Sequence, residues 1–185
     1  MSKLIYSMSV SLDGFITEPD GNFDWSAPDE ELHRFHNARV RALGGHLLGR
    51  RLYETMKYWE TAHEDPELTD YALEFAEIWK PLPKVVFSHT LDDVVGNTRL
   101  AQGGIAEEVA ELQERSGKDV ALGGADLAAE AIKLGLVDDF QLFVYPVIVG
   151  GGRPFFPSLD QIVHLNLVET RTFASRVVYV RYERA

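Results

Sequence analysis

The sequence has 185 residues, 45% hydrophobic and 11% aromatic, with a formal net charge of −11. That is enough apolar material for one domain with a sizeable core, and the charge disfavours nonspecific contact with nucleic acid or an anionic membrane surface. The absence of cysteine excludes disulfides, thiolate metal sites and cysteine nucleophiles.

With no membrane-length apolar run and no signal-peptide pattern, the expectation is a single cytoplasmic domain over 1–185. Lys3 to Val10, rich in Leu, Ile, Tyr, Met and Val, predicts a central strand because both faces are mostly apolar. Ser11-Leu12-Asp13-Gly14-Phe15 turns out of it at Asp-Gly, and Glu18-Pro19-Asp20-Gly21-Asn22 is a second turn cluster. The aromatics of Phe23-Asp24-Trp25 fit either a lid over a pocket or a surface hairpin covering the core edge. Ser26 to Glu31 predicts a helix start. Ser26 is a capping candidate, Pro28 stands in an early position, and the acids Asp29 and Glu30 complement the helix dipole. Leu32, Phe35, His36, Val40 and Leu43 share one face of that helix, which Gly44-Gly45 ends.

Gly45 to Gly49 predicts a short buried strand, and Arg50-Arg51 then opens a helix carrying Leu52, Tyr53 and Met56. A helix start has unpaired N–H groups and partial positive charge; two guanidinium groups beside it make a place to hold phosphate. Thr61 to Asp65 reads as a loop, and Pro66 leads a helix that runs to Trp79 and stops at Pro81 and Pro83. Lys84 to Ser88 predicts a strand, Asn97 to Leu100 a short one, and Ile105, Val109 and Leu112 a helix ending at Ser116-Gly117. Asp119 to Leu122 is a further strand, and Gly123-Gly124-Ala125 then repeats the strand–glycine–helix passage. Taken alone, these glycines fit ordinary strand-to-helix turns as well as a nucleotide site.

The alternation predicts an α/β domain with a largely parallel sheet, in which ligands sit at the carboxyl ends of strands. Ser9 to Ser11, Gly49, Ser88 and Gly123 all fall there, which favours a nucleotide cofactor. The last third differs. Asp139 to Val149 is a β pattern broken at Pro146, Gly150-Gly151-Gly152-Arg153-Pro154 is a turn between strands, and Ile162 to Thr172 pairs with Arg176 to Tyr182 as an antiparallel hairpin. His33 and His36 lie three apart on a helix, but no His-Glu-x-x-His occurs and spacing supplies no third ligand, so no metal site is expected. Gly-x-Ser-x-Gly, the Gly-x-x-x-x-Gly-Lys phosphate loop and an intact Gly-x-Gly-x-x-Gly after the first strand are all missing.

Five segments, in order along nearly the whole chain, resemble the dihydrofolate reductase-like superfamily, and within it the reductase domain of bifunctional riboflavin-biosynthesis proteins. They are Ser9-Val10-Ser11-Leu12-Asp13-Gly14-Phe15, Trp25-x-x-Pro28, Leu48-Gly49-Arg50-Arg51-x-Tyr53-Glu54, Leu122-Gly123-Gly124-Ala125, and Pro146 to Phe156. The resemblance implies a three-layer α/β/α fold with a mostly parallel central sheet and antiparallel C-terminal strands. It also implies NADPH along the carboxyl edge. Arg50 and Arg51 would hold its phosphates, Ser88 would lie near the adenosine, and Gly49, Gly123, Gly124 and Ala125 would admit the pyrophosphate. Ser9 and Val10 would flank the nicotinamide. Asp13, Phe15 and Trp25 would meet a pterin-, pyrimidine- or related heterocyclic substrate, and Glu30, with Asp29 beside it, would be the carboxylate facing its ring. The expected reaction is hydride transfer by a reductase, in a homodimer. Two further possibilities are a nucleotide-binding domain without catalysis and a dimeric interaction domain built on the apolar terminal strands.

Overall fold

A computed structural model describes residues 2–185. The first half holds β1 (Leu4–Ser11), β2 (Phe15–Thr17), α1 (Glu30–Arg41), β3 (Gly45–Gly49), α2 (Arg50–Met56), α3 (Asp70–Trp79), β4 (Lys84–Phe87) and β5 (Thr98–Leu100). The second half holds α4 (Ile105–Ser116), β6 (Val120–Gly123), α5 (Ala125–Lys133), β7 (Asp139–Tyr145), β8 (Arg153–Pro154), β9 (Leu165–Thr172) and β10 (Val178–Arg184). One eight-stranded sheet has the order β5-β4-β3-β6-β1-β7-β10-β9, parallel through β7 and antiparallel at β10 and β9. The chain steps outward from β1, returns at β6 and crosses to β7 on the other side. Direction therefore reverses around β1, the kind of place where open α/β sheets bind ligands.

Helices cover both faces. Leu4, Tyr6 and Val10 of β1 pack with Leu47, Leu122 and Phe140 against Ile105, Leu112, Leu127 and Ala128 of α4 and α5. On the other face, Leu48 and Val86 meet Tyr53, Phe75 and Trp79, while Leu32 meets Phe143, Tyr145, Phe173 and Tyr179. Each such large side chain, once fully buried, contributes about 1.5–3 kcal/mol.

Alternation gives β1 a second face of Ile5, Ser7, Ser9 and Ser11. The strand expected to be apolar on both sides is thus apolar on one, and on the other only at Ile5. Ser7 and Ser9 are half-buried, and their small side chains leave space beneath α1.

Local departures from the expected elements have simple causes. Asp29, not Ser26, caps α1, because its carboxylate accepts the Leu32 N–H at 2.9 Å, and Pro28 lies just outside the helix. Residues Lys57–Glu60 and Ala62–Glu64 wind into short 3-10 turns, which delays α3 to Asp70. Arg153-Pro154 leaves the glycine turn to pair with β2 instead of extending the main sheet. At the far side of α1, fully buried Asp139 accepts from Arg181 Nε (2.7 Å) and Gln141 Nε2 (2.9 Å), and Arg39 Nε donates to Gln141 Oε1 at 3.1 Å. This network ties α1 to β7 and β10.

Candidate functional site

Neighbouring strands β3 and β6 pair at Leu48 and Gly123 and each ends in a glycine before a helix. Gly124 has φ +97°, a conformation that disfavours side chains. A Cβ there would stand 3.6 Å from the Gly49 nitrogen and 3.7 Å from its Cα. A Cβ on Gly123 would collide with Leu52. The two passages therefore meet backbone to backbone, and the start of α5 opens onto the carboxyl edge of the sheet beside α2.

The arginines are not equivalent. Arg50 is engaged, with Nε 2.9 Å from Glu54 Oε1 and Nη1 2.6 Å from Thr90 Oγ1. Arg51 is exposed and makes no ion pair among the described residues. It lines the main cleft and an adjoining groove with Gly21, Gly152 and Arg153. Ser88 also lines the cleft, and its hydroxyl accepts from the Thr90 and Leu91 N–H groups, turning the chain after β4. Arg153 pairs with Asp126 in the first turn of α5. Gly124 and Ala125 line the cleft directly.

A flap stands over this edge. The Asp13 carboxylate accepts from Ser11 Oγ (2.6 Å), Gly150 N (2.7 Å) and Val149 N (3.2 Å). Those hydrogen bonds, that from Ser11 foremost, hold its carboxyl below the usual range. Phe15 in β2 pairs with Pro154 in β8. Gly152 has φ +125°, and a Cβ there would overlap the Thr17 carbonyl. Asp13 and Phe15 thus build the flap. Trp25 packs edge-on against Tyr145 at 5.7 Å, and the Tyr145 hydroxyl donates to the Ser26 carbonyl at 2.8 Å. Phe23, Ser26 and Pro28 around it reach the cleft.

Beneath α1 the residues differ from those expected. Glu30 is exposed and bonds Arg34 Nε at 2.9 Å, while Asp29 is consumed as the helix cap; neither lines the cleft. The reason is helical phase. At 100° per residue, positions 30 and 34 share the outer face, while 32, 33 and 36 turn inward. Val10 points to the α4–α5 side, away from the cleft, whereas Ser9 lines it. His33 Nδ1 pairs with Asn37 Oδ1 at 3.1 Å among Trp59, Tyr71 and Phe75. His36 lies 4.2 Å from the Phe143 ring and lines the cleft, and neither of its ring nitrogens has a hydrogen-bond partner among the described residues. Burial, with His33 and Arg39 adding, pulls its imidazole down to about 4. Burial does the same to His46, whose Nδ1 lies 2.9 Å from the Leu47 carbonyl. The sequence placed His36 on the inner face of α1 without assigning it a role; Ser7 and Ser9 on β1 were the signal that space lay opposite it.

The cleft, open to solvent along one side, has a volume of about 1380 Å³. Single-ligand pockets usually hold about 300–1000 Å³, so it has room for two molecules side by side. Among the described residues no cluster of three or more metal-ligating side chains occurs, and no helix is long and apolar enough to cross a membrane.

The RibD C-terminal domain model matches residues 2–179. The uncharacterized protein YyaP of Bacillus subtilis is 34% identical over 184 residues, covering 97% of this chain and 94% of that protein. A putative riboflavin biosynthesis protein from Shewanella sp. PV-4 superposes with a TM-score of 0.77 at 19% identity, covering 99% of both chains. Dihydrofolate reductase from Enterococcus faecalis, solved with NADP(H), superposes with a TM-score of 0.61 at 17% identity, covering 98% of this chain and 96% of that one. The chain belongs to the RibD C-terminal domain family and has the dihydrofolate reductase-like fold.

Proposed function

We propose that this protein is an NADPH-dependent reductase of a small pterin-, pyrimidine- or related heterocyclic substrate. The observation that carries the reading is exposed Arg51, without an ion-pair partner among the described residues, next to the glycine backbones of Gly49 and Gly124 packed against each other. A dinucleotide needs this combination: backbone close enough for a pyrophosphate, and a guanidinium free for the phosphate that distinguishes NADP from NAD. Gly49, Gly124 and Ala125 would hold the pyrophosphate, Arg51 with Arg50 the 2′-phosphate, and Ser88 the adenosine side. The cofactor supplies the hydride. The protein positions the two rings, and the flap of Asp13, Phe15 and Gly152 keeps water from them.

The test is NADPH binding and oxidation by purified protein. Selective stabilisation by NADPH, with oxidation on adding a dihydropteridine or a reducible pyrimidine, supports the reading. The outward placement of Glu30 and Asp29 favours a second reading, a nucleotide-binding domain without catalysis. Saturable NADPH binding with no oxidation across such a panel selects it. We further propose a cytoplasmic homodimer joined through its C-terminal strands, where Leu167, Val168 and Val178 are exposed on a sheet face. Light scattering that returns a monomer rejects this arrangement.

A further inference from the structure

The cleft half beneath α1 carries a chemistry of its own. Its floor is Ser7 and Ser9 of β1 beside Phe143 of β7, and its roof is the inner face of α1 with His33 and His36. The carboxylates at the start of α1, and Glu74 of α3 packed against it, are committed to other partners. Asp29 accepts the Leu32 N–H, Glu30 holds Arg34, Glu31 holds Arg171 and the Ala174 N–H, and Glu74 holds Arg41 and Asn37. Three acids do reach the cleft walls, but Asp119 lies at the other end of the sheet, bonded to the Lys3 N–H, and Asp126 and Glu130 belong to α5 in the opposite layer. The cation on the same face of α1, Arg39, is stacked 4.8 Å over Tyr179 and bonded to Gln141.

Deepening the reductase reading, on which it rests, we infer that His36, and no carboxylate, is the side chain that hydrogen-bonds the substrate ring, so that this half of the cleft takes an uncharged heterocycle and rejects one bound as a cation. Burial keeps the imidazole in its neutral form, which offers one N–H donor and one acceptor nitrogen, both free here. The two nitrogens point apart, so His36 makes one hydrogen bond to a ring edge, either donating to a ring carbonyl or accepting from a ring N–H, and a neutral lactam offers both. A ring that must carry a proton to bind would enter a half-buried site with no countercharge and with Arg39 one turn away. The hydroxyls of Ser7 and Ser9 serve a neutral ring equally well.

Two probes separate the possibilities: 6,7-dimethylpterin, uncharged at pH 7, and 2,4-diamino-6,7-dimethylpteridine, which readily takes up a proton. Binding is followed by tryptophan fluorescence on the full chain saturated with NADPH, in wild type, His36→Gln and His36→Phe. The pterin is expected to bind at least about tenfold more tightly than the diamino compound, His36→Phe to lose about tenfold or more, and His36→Gln, which keeps a donor and an acceptor, to stay within about threefold. NADPH affinity is expected to be unchanged in both variants. Equal or tighter binding of the diamino compound overturns the inference. So does wild-type pterin affinity in His36→Phe, or absence of pterin binding in a protein that binds NADPH. If His36→Phe does not fold, the two-probe comparison on wild type and His36→Gln decides. Failure of the wild type to bind NADPH at all instead rejects the reductase reading beneath it.

Discussion

The two ends of the cleft acquire their polarity by different routes. At the carboxyl edge, backbone does the work: Gly49 and Gly124 bring two chain passages into contact, α5 opens there, and Arg51 stands beside them without an ion-pair partner among the described residues. Beneath α1, side chains from distant segments do it: serines from β1, a phenylalanine from β7 and histidines from α1. The first end depends on conformation, the second on helix phase and strand register. Substitutions should therefore act differently at each.

Gly124→Val should have the largest effect. A branched side chain at φ +97°, facing the Gly49 backbone, should cost about 1–3 kcal/mol and lower Tm by about 3–10 °C, with NADPH affinity falling more than about tenfold. A variant as stable and as tight as wild type would remove the conformational basis of the site. Arg51→Ala comes next. Loss of a charged hydrogen bond should weaken NADPH by about 10–100-fold while leaving NADH within about threefold. Arg50→Ala should do less, since Arg50 already serves Glu54 and Thr90. Reversal of that order in a titration would exchange their roles.

The third prediction concerns the histidines that line the cleft. His36 and His46 have imidazoles pulled from 6.5 to about 4 by burial. The unfolded chain therefore binds more protons between these values, so their contribution to stability is full above about pH 6.5 and is lost as pH falls toward 4. Tm should decline already between pH 6.5 and 5, above the range where carboxylates titrate, and His46→Gln should flatten part of that decline. A Tm constant down to pH 5 would mean that these two imidazoles are wetter than their packing implies. The smallest effect belongs to Glu30→Gln. An exposed ion pair is worth about 0–1 kcal/mol, so stability and NADPH oxidation should barely change. A large loss of turnover would return the catalytic carboxylate to Glu30.

The same contrast explains what the sequence made legible. Strand–glycine–helix passages are local signals, so Gly49-Arg50-Arg51 and Gly123-Gly124 could be read directly and fall together at one edge. The break at Pro146 and the terminal hairpin were equally local. The pairing of Arg153-Pro154 with Phe15–Thr17 was not, because it joins residues more than 130 apart through a glycine whose φ no sequence states. The placement of Glu30 was missed by counting from Trp25 and Pro28. Capping by Asp29 fixed the helix start, and that start sent Glu30 outward and His36 inward.

The most direct measurement is a paired thermal-shift titration of the wild-type protein with NADPH and NADH. Binding to the native state alone raises Tm in proportion to the logarithm of ligand concentration above Kd. The Arg51 site predicts that NADPH raises Tm at concentrations at least about tenfold below those needed with NADH. Equal responses to the two cofactors, or no response to either, would contradict it.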